Sequence, residues 1–470
     1  MNKILAEDLI NQKEILENVL EEAEVFLNRR CSERVAPYFD GGDFNRVPLD
    51  GMGAKAALDL FKRDYAPYLW LNSGPQFYGF VIGGATPAAL AGDWLTSLYD
   101  QNAFGIPGRI DRKIEEEAAE GIKELLSLPE DYSGVFTSGA TMASTVALAV
   151  AREWAAQKEG KSANDGIYGL TQPTVISGCP HASLAKGLSI LGIGRNAITY
   201  VPCLEGREAV DVSVMEDYIK NNLEKSIIVI ANMGTANSGD LDDLKAIAEL
   251  KDKYEFYLHV DGAVGAISAA SDKYRPLFDG CEKADSFTVD CHKWLNVPYD
   301  CAIAYVRGEA LKKLQYRVFA QQSIVAGEMP VEAAFYDYAP EGSRRLRALS
   351  VWMSLMAYGK NGYAEMVERD CDMAKLLADE ITKDGNISLV NDVRLNGFAF
   401  TINMPYGEAT MEDIMAFAEL IRKAGKTYMN TSTVVGKPAI RCSISNYATS
   451  EKEILDVANA ILECAKKFVK

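Results

Sequence analysis

Lys293 stands in a segment whose surroundings favour a reactive amine. Residues 290–299 connect two predicted buried strands, at 285–289 and 301–306, and the residues that follow the lysine are mostly apolar. Apolar surroundings lower the pKa of a lysine because they remove water from its ammonium group, and the neutral amine can then attack a carbonyl carbon. The same pattern also fits an ordinary loop lysine whose alkyl stem packs on its neighbours.

Four further polar segments each follow a predicted strand. In chain order they contain Ala140 and Thr141 after the strand at 134–137, His181 after 173–177, Thr235 after 226–231, and Asp261 after 256–260. In an α/β sheet, ligands bind outside the carboxyl ends of the strands, so these segments can face one cleft together with Lys293. The segment 138–141 also opens a predicted helix, whose free N–H groups and dipole suit a phosphate group. Taken singly, each segment also fits an ordinary helix cap or strand end.

The combined set of groups indicates one cofactor. Pyridoxal phosphate (PLP) requires a lysine for imine formation, an acid opposite the pyridinium nitrogen and a seat for its phosphate. Lys293, Asp261 and the segment 138–141 supply these three parts. The acid keeps the ring nitrogen protonated, so that electrons from a breaking bond at the α-carbon of a substrate can move into the ring. We therefore predict PLP as the cofactor.

The composition is that of a globular protein with an acidic surface. Of 470 residues, 48% are hydrophobic and 24% are charged, and the formal net charge is −17. An acidic surface repels nucleic acid and anionic membranes, so we expect neither as a partner. No apolar run is long enough to predict a transmembrane helix, and the acidic N-terminus is unlike a signal peptide. The nine cysteines contain no C-x-x-C pair, which indicates reduced thiols in the cytoplasm, and no cysteine or histidine spacing predicts a metal site.

Short apolar strands that alternate with helical patterns predict a mostly parallel α/β sheet with helices on both faces. This pattern extends over residues 71–345, which we assign to a large cofactor-binding domain. Residues 346–470 predict a smaller α+β domain, whose last helix begins with a capping box at Ser450. Residues 1–70 form an N-terminal helical segment with an amphipathic pattern that needs a partner surface to cover its apolar side.

Taken together, the motifs resemble those of the group II PLP-dependent amino acid decarboxylases, relatives of the aromatic amino acid and glutamate decarboxylases. The matching stretches are Gly134-Val-Phe-Thr-Ser-Gly-Ala-Thr141, His181-Ala-Ser183, Gly234-Thr235, His259-Val-Asp-Gly-Ala263, His292-Lys-Trp294 and Ser343-Arg-Arg-Leu-Arg347. The resemblance implies PLP fold type I, the aspartate-aminotransferase-like fold. It also implies a homodimer with its active site at the interface, in which the N-terminal helices pack on the second subunit.

The resemblance further implies a role for each matching residue. Lys293 would form the internal aldimine with the cofactor, and Asp261 would pair with the pyridinium nitrogen. His181 would stack on the ring and help to protonate the product. Ala140, Thr141 and His292 would hold the phosphate, and Thr235 and Ala263 would contact the rest of the cofactor. The implied reaction converts an L-amino acid to an amine and carbon dioxide.

The chain departs from the family pattern in the loop at 317–339. Many members carry a tyrosine there that protonates the α-carbon after carbon dioxide leaves, but residues 319–325 contain none, and Tyr336 and Tyr338 come later. Without that acid, oxygen could intercept the reaction and yield an aldehyde. We therefore keep an oxidative aldehyde synthase or a carbon–carbon lyase as alternatives, and a cofactor-binding regulatory subunit without catalysis as a third.

Two sets of residues give opposite indications about the substrate side chain. Phe77 and Phe80 lie in an apolar segment where the family lines its side-chain pocket, which favours an aromatic or large apolar amino acid. The segment also fits a place in the core. Arg317, Arg344 or Arg347 could instead seat the carboxylate of glutamate or aspartate.

Overall fold

A seven-stranded sheet forms the centre of the protein. The computed structural model describes residues 1–42, 45–321 and 333–470. The strands are β1 (Tyr132–Thr137), β2 (Thr174–Ser177), β3 (Ile198–Tyr200), β4 (Ile227–Asn232), β5 (Tyr257–Asp261), β6 (Ser286–Val289) and β7 (Ala302–Arg307). They are ordered β1-β7-β6-β5-β4-β2-β3, and among them β7 alone runs antiparallel to its neighbours. The predicted mostly parallel α/β sheet is therefore confirmed.

Helices cover both faces of this sheet. Before and within it lie α1 (Lys3–Ile10), α2 (Gln12–Arg29), α3 (Ala54–Asp64), α4 (Pro87–Tyr99), α5 (Ile110–Leu126), α6 (Ala140–Lys158), α7 (Ala182–Ile190), α8 (Val212–Lys220), α9 (Leu244–Lys253) and α10 (Gly308–Phe319). Side chains alternate between the faces of a strand, and in β4 Ile228 and Ile230 join the apolar cluster that contains residues of α6 and α7. Val229 and Ala231 join the cluster on the opposite face. Burial on both faces explains why this strand reads as one continuous apolar run.

A second, four-stranded antiparallel sheet follows the first. Its strands are β8 (Ile387–Leu389), β9 (Gly397–Ile402), β10 (Asn430–Val434) and β11 (Lys437–Ser443), in the order β10-β11-β9-β8, and its helices are α11 (Ala348–Thr382), α12 (Met411–Ala424) and α13 (Glu451–Phe468). The predicted capping box at the start of α13 is present, with Ser450 and Glu453 bonded reciprocally. The domain boundaries near residues 70 and 345 stay a proposal.

The N-terminal helices have the amphipathic character that their sequence predicts. Helices α1, α2 and α3 bury no residue within the chain. Several of their large apolar side chains, among them Leu9, Leu16, Leu20 and Phe61, are at least 40% exposed. Across the described ranges, no helix has the length and apolar character needed to cross a membrane.

Helix α11 connects the two apolar cores and also holds the segment that contains Lys293. Its first half contributes to the core of the large sheet, and its second half contributes to the core of the small sheet. In between, Asp370 accepts a 2.8 Å hydrogen bond from the indole Nε1 of Trp294, and both residues are fully buried. Burial raises the pKa of Asp370 to about 7, although Arg369 and Trp294 act in the opposite direction. Trp294, the neighbour of Lys293, is therefore hydrogen-bonded to a carboxyl group, that of Asp370, whose pKa is about 7.

The variant Asp370→Asn tests this anchor, because it keeps an acceptor for Trp294 and removes the buried charge. In the folded protein Asp370 remains protonated up to about pH 7, whereas in the unfolded chain it ionises at about pH 4. The wild-type protein therefore loses stability as the pH rises from about 4 to about 7, and the variant lacks this loss. We expect the melting temperature of the variant minus that of wild type to be larger at pH 8 than at pH 5.

The matched control for this measurement is Asp372→Asn, which removes a half-exposed carboxylate of the same helix, paired with Lys273. Its melting temperature should follow wild type across the pH range. If the difference in melting temperature between Asp370→Asn and wild type does not change with pH, Asp370 does not titrate in this range in the folded protein.

Candidate active site

The carboxyl ends of five strands, β1, β2, β4, β5 and β6, border one cavity of about 470 Å³. Every residue that the sequence predicts as catalytic or cofactor-binding lines it: Ala140, Thr141, His181, Thr235, Asp261, Ala263, His292 and Lys293. The parallel arrangement thus brings together segments that are far apart in the sequence. Their individual roles stay predictions.

The N-terminus of α6 forms one wall of the cavity. Gly139 is its N-cap, and no side chain caps the helix. The first N–H groups of a helix have no partner within it, and the helix dipole adds partial positive charge, so this wall is an anion seat. A Cβ at Gly139 would lie 3.3 Å from Cε1 of His292, which leaves little room for a side chain between the helix and the imidazole.

A buried carboxylate, Asp290, holds the lysine and the adjacent histidine. Its Oδ2 lies 3.1 Å from Nζ of Lys293, and its Oδ1 lies 3.1 Å from Nε2 of His292. Burial alone would raise the pKa of Asp290, but the charge of Lys293 and the contact with the His292 side chain outweigh burial and hold it below its usual value. Sequence reasoning missed Asp290, although its spacing three residues before Lys293 could have signalled the contact.

The backbone determines the proton position of His292. The N–H of Cys301 donates to its Nδ1 at 3.1 Å, so Nδ1 is an acceptor and the proton lies on Nε2, towards Asp290. The ring of Tyr299 stacks on the imidazole with centroids 4.0 Å apart. The orientation of the His292 ring is therefore fixed between Cys301, Asp290 and Tyr299, with its Cε1 beside the start of α6.

His181 caps α7 and faces the cavity from β2. Its Nδ1 lies 2.7 Å from the hydroxyl of Ser183 and accepts the N–H of Ser183 at 3.3 Å. The imidazole lines the cavity, and part of its surface is withdrawn from water. This desolvation, together with the charge of Lys293, lowers the pKa of His181. The imidazole is therefore neutral at pH 7 and carries its proton on Nε2.

Asp261 ends β5 at the floor of the cavity. It is 7% exposed, and its Oδ1 accepts the N–H of Ala263 at 3.1 Å. On the same strand, His259 is fully buried and contacts Ser286, and burial lowers its pKa to about 4. Of the three histidines, His181 and His292 line the cavity and His259 does not.

The small sheet contributes a cation that sequence reasoning missed. Arg441, on β11, lines the cavity, and its Nη1 donates to the carbonyl oxygen of Ala236 at 2.5 Å. Burial lowers the pKa of Arg441, and the negative charge of Glu208 acts in the opposite direction. No local motif marks Arg441, because only the packing of the two sheets brings it to the cavity.

Phe77 and Phe80 are not among the residues that line this cavity, and their contact with a substrate stays a prediction. Phe77 is buried against Trp70 and Tyr428, with ring centroids 6.1 and 5.4 Å away. Phe80 is 49% exposed and stacks on Tyr428 at 5.7 Å. Phe77 thus belongs to a local aromatic core.

The three arginines considered as seats for an acidic side chain are all paired elsewhere. Arg317 pairs with Glu153, Arg344 with Glu115, and Arg347 with Glu341 and Asp300. None of the three lines the cavity. The buried Arg344–Glu115 pair also holds the strand end at Phe136, since Nη1 of Arg344 donates to its carbonyl oxygen at 2.9 Å. Arg344 therefore stabilises the fold at the end of β1.

Neither of the later loop tyrosines lines the cavity. Tyr336 packs edge-on against Phe104, and Tyr338 packs near Tyr316 with its ring buried. Part of the segment where the family carries its tyrosine, residues 322–325, lies outside the described residues. The structure of the described part therefore offers His181 and Lys293 as proton carriers at the cavity.

The donor set fits PLP. The uncapped N-terminus of α6 suits a phosphate, Lys293 is within reach of the same cavity, and the carboxylate of Asp261 suits a protonated ring nitrogen. Small side chains, among them Ala140 and Ala263, leave room between these groups for a flat ring.

Comparisons with known proteins agree with this reading of the cavity. The family model described as "Pyridoxal-dependent decarboxylase conserved domain" matches residues 62–403, which is more than half of the chain. An aromatic-L-amino-acid decarboxylase of Bacillus atrophaeus is 28% identical, over 90% of this chain and 87% of its own. A phenylacetaldehyde synthase of Arabidopsis thaliana is 24% identical, over 86% and 85%.

Solved structures share the fold over the whole length. The crystal structure of Oryza sativa TDC with PLP and tryptamine superposes with a TM-score of 0.89, at 21% identity, and covers 100% of both chains. The chain therefore belongs to the pyridoxal-dependent decarboxylase family and is a PLP-dependent carboxy-lyase of fold type I.

Proposed function

We propose that this enzyme converts an aromatic L-amino acid to the corresponding amine and carbon dioxide. The observation that carries the proposal is the meeting of Lys293, Asp261 and the N-terminus of α6 at one cavity. The printed activity of the relative from Bacillus atrophaeus supports an aromatic substrate. So does the pairing of Arg317, Arg344 and Arg347 outside the cavity, since an acidic side chain needs a cation to compensate its burial.

The residues of the cavity would divide the work as follows. Bound PLP supplies an electrophilic carbonyl and a ring that accepts the electrons of the bond broken at the α-carbon. The N-terminus of α6 and His292 would hold the phosphate, and Asp261 would keep the ring nitrogen protonated. The amine of Lys293 would bind the carbonyl carbon of PLP until the amine of a substrate takes its place. Asp290 would keep Lys293 and His292 oriented.

His181 and Arg441 would act on the substrate. His181 holds a proton on Nε2, which it would deliver to the α-carbon after carbon dioxide leaves, while its Nδ1 takes the hydroxyl proton of Ser183, 2.7 Å away, which solvent then replaces. Arg441 would bind a carboxylate of the amino acid, because it is the arginine that lines the cavity. Bidentate hydrogen bonds from a guanidinium orient a carboxylate as well as attract it.

The first test supplies the purified protein with PLP and a panel of aromatic, aliphatic and acidic amino acids. We expect carbon dioxide and amine in equal amounts, with tryptophan, tyrosine or phenylalanine as the best substrate. Lys293→Ala should abolish turnover because no other amine can exchange with the substrate. Turnover of glutamate or aspartate alone would contradict the aromatic assignment, and silence across the panel would contradict decarboxylation.

A second candidate function is an oxidative aldehyde synthase. Two observations favour it: neither Tyr336 nor Tyr338 lines the cavity, and a relative carries the printed name phenylacetaldehyde synthase. The same assay separates the two functions. Aldehyde and hydrogen peroxide, with oxygen uptake equal to the carbon dioxide released, would replace the amine assignment.

A second prediction concerns Arg441. Arg441→Met removes the guanidinium and keeps most of the alkyl volume. The lost hydrogen bonds to a charged group should raise KM by about 10- to 100-fold. Arg441→Lys keeps the charge and should raise KM less. A KM within about twofold of wild type for Arg441→Met would show that the carboxylate binds elsewhere.

We also propose a homodimer with the N-terminal helices at its interface. The exposed apolar side chains of α1–α3 support it, because an unpaired face of this kind is unfavourable in water. Sedimentation should give about twice the chain mass of 51.5 kDa. The double variant Leu16→Asp and Leu20→Asp should shift the protein towards monomer. Lys13→Asp, at an exposed charged position of the same helix, should not.

A cytoplasmic location is also a proposal. All nine cysteines are free thiols, and most of them are buried. Reduced thiols are typical of the cytoplasm, where glutathione and thioredoxin keep them so.

A further inference from the structure

A buried carboxylate, Glu208, lies behind the wall of the cavity that carries Thr235. Glu208 belongs to the connection between β3 and α8 and is 5% exposed. Its Oε2 accepts the hydroxyl protons of Thr235 and Ser238, each at 2.7 Å, and its Oε1 accepts an amide proton of Asn237 at 2.9 Å. Three side chains of one short loop therefore depend on this single carboxylate.

This contact determines what Thr235 can offer to a ligand. A carboxylate only accepts hydrogen bonds, and a hydroxyl has a single proton, so the proton of Thr235 points to Glu208 and away from the cavity. One lone pair of the hydroxyl oxygen accepts the N–H of Asp240 at 3.2 Å. The oxygen of Thr235 is thereby left as an acceptor on the cavity wall.

The same loop binds Arg441. The carbonyl oxygen of Ala236, between Thr235 and Asn237, accepts Nη1 of Arg441. The side chain of Asn237 is also tied to the small sheet, because its Oδ1 accepts the hydroxyl of Ser432 at 3.0 Å. The hydrogen-bond partners of the Glu208 side chain are neutral, so its negative charge is balanced across the loop by Arg441 rather than by direct contact.

The neighbouring acidic residues, Asp240 and Asp242, have other hydrogen-bond partners. Asp240 pairs with Arg207 at 2.6 Å. Asp242 accepts the backbone N–H groups of Val210 and Asn232, both at 2.7 Å. Glu208 differs from both because it accepts hydrogen bonds from three side chains of the loop that carries Thr235 and the carbonyl partner of Arg441.

We propose that Glu208 is a positioning residue for substrate binding. It keeps Thr235 as an acceptor and Arg441 as a charged donor on one wall, which together suit the carboxylate and an adjacent N–H of an amino acid. The inference rests on the proposed function, since it assigns the wall to the substrate of that reaction. Glu208 acts through Thr235 and Arg441 and need not touch the substrate itself.

The test compares Glu208→Gln with a matched control, Glu153→Gln. Glu153 is equally buried and also accepts a serine hydroxyl, but its hydrogen-bond partners, Ser162 and Ala163, do not line the cavity, unlike Thr235 and Asn237. The probe is indole-3-propionate, a carboxylic acid without an amine, so that its binding to the PLP-loaded protein requires no turnover. We expect Glu208→Gln to weaken its binding and to raise KM by roughly tenfold. Its kcat and its affinity for PLP should change less than about threefold.

A double variant shows whether the effect passes through Arg441. In the Arg441→Met background, Glu208→Gln should weaken binding by less than about twofold, because the guanidinium that it positions is gone. Ser238→Ala offers a milder change that keeps the carboxylate and removes one of its hydrogen bonds. It should weaken binding in the same direction, by about threefold.

Three results would overturn the inference: unchanged binding of indole-3-propionate in Glu208→Gln, an equal loss in Glu153→Gln, or full additivity in the double variant. If Glu208→Gln proves too unstable to purify, Ser238→Ala with wild-type binding would overturn it as well. A protein that binds indole-3-propionate in the expected Glu208-dependent way, but releases no carbon dioxide from any amino acid, would support the inference and contradict the proposed function.

Discussion

The active site depends on one constraint of parallel sheets: strands that run in the same direction all end at the same edge. A parallel pair needs a crossover connection, so the chain leaves each strand at that edge and returns to the other. In this protein five such ends, those of β1, β2, β4, β5 and β6, present a helix start, a histidine, a threonine, an aspartate and a lysine to one cavity. The strands themselves are mostly buried, which restricts the relative positions of these groups.

The small sheet supplies side chains that complete the cavity at the edge of the large sheet. Arg441 reaches the cavity from β11 and binds the loop that follows β4, and Ser432 on β10 binds the same loop. Helix α11 contributes to both apolar cores and anchors Trp294 through Asp370. The cavity therefore lies between two sheets that are joined by one long helix and by hydrogen bonds to a polar loop.

Local patterns were sufficient to predict the parts of the fold that are buried on both faces. The strands at 226–231 and 256–260 were recognised because burial on both faces makes nearly all of their residues apolar. Strand β10, Asn-Thr-Ser-Thr-Val, has no apolar run and was missed. Residues at strand ends were predictable for the same reason. Arg441 and Glu208 were not, because their roles arise from contacts between segments distant in sequence. The pattern around Phe77 does not distinguish a residue beside a pocket from one in an adjoining aromatic core, because both positions are apolar.

The antiparallel strand β7 has a consequence for how this site can change. It pairs directly with β6, so the segment that carries Lys293 is a hairpin between adjacent strands, with both of its ends fixed by ladder hydrogen bonds. The other site segments belong to crossovers, whose surface portions tolerate insertions more readily. A lengthened hairpin would displace the lysine from the cavity, whereas a remodelled crossover would leave it in place. Diversification of this architecture towards new substrates is therefore confined to the crossover loops and the small sheet, while the position of the amine is inherited unchanged.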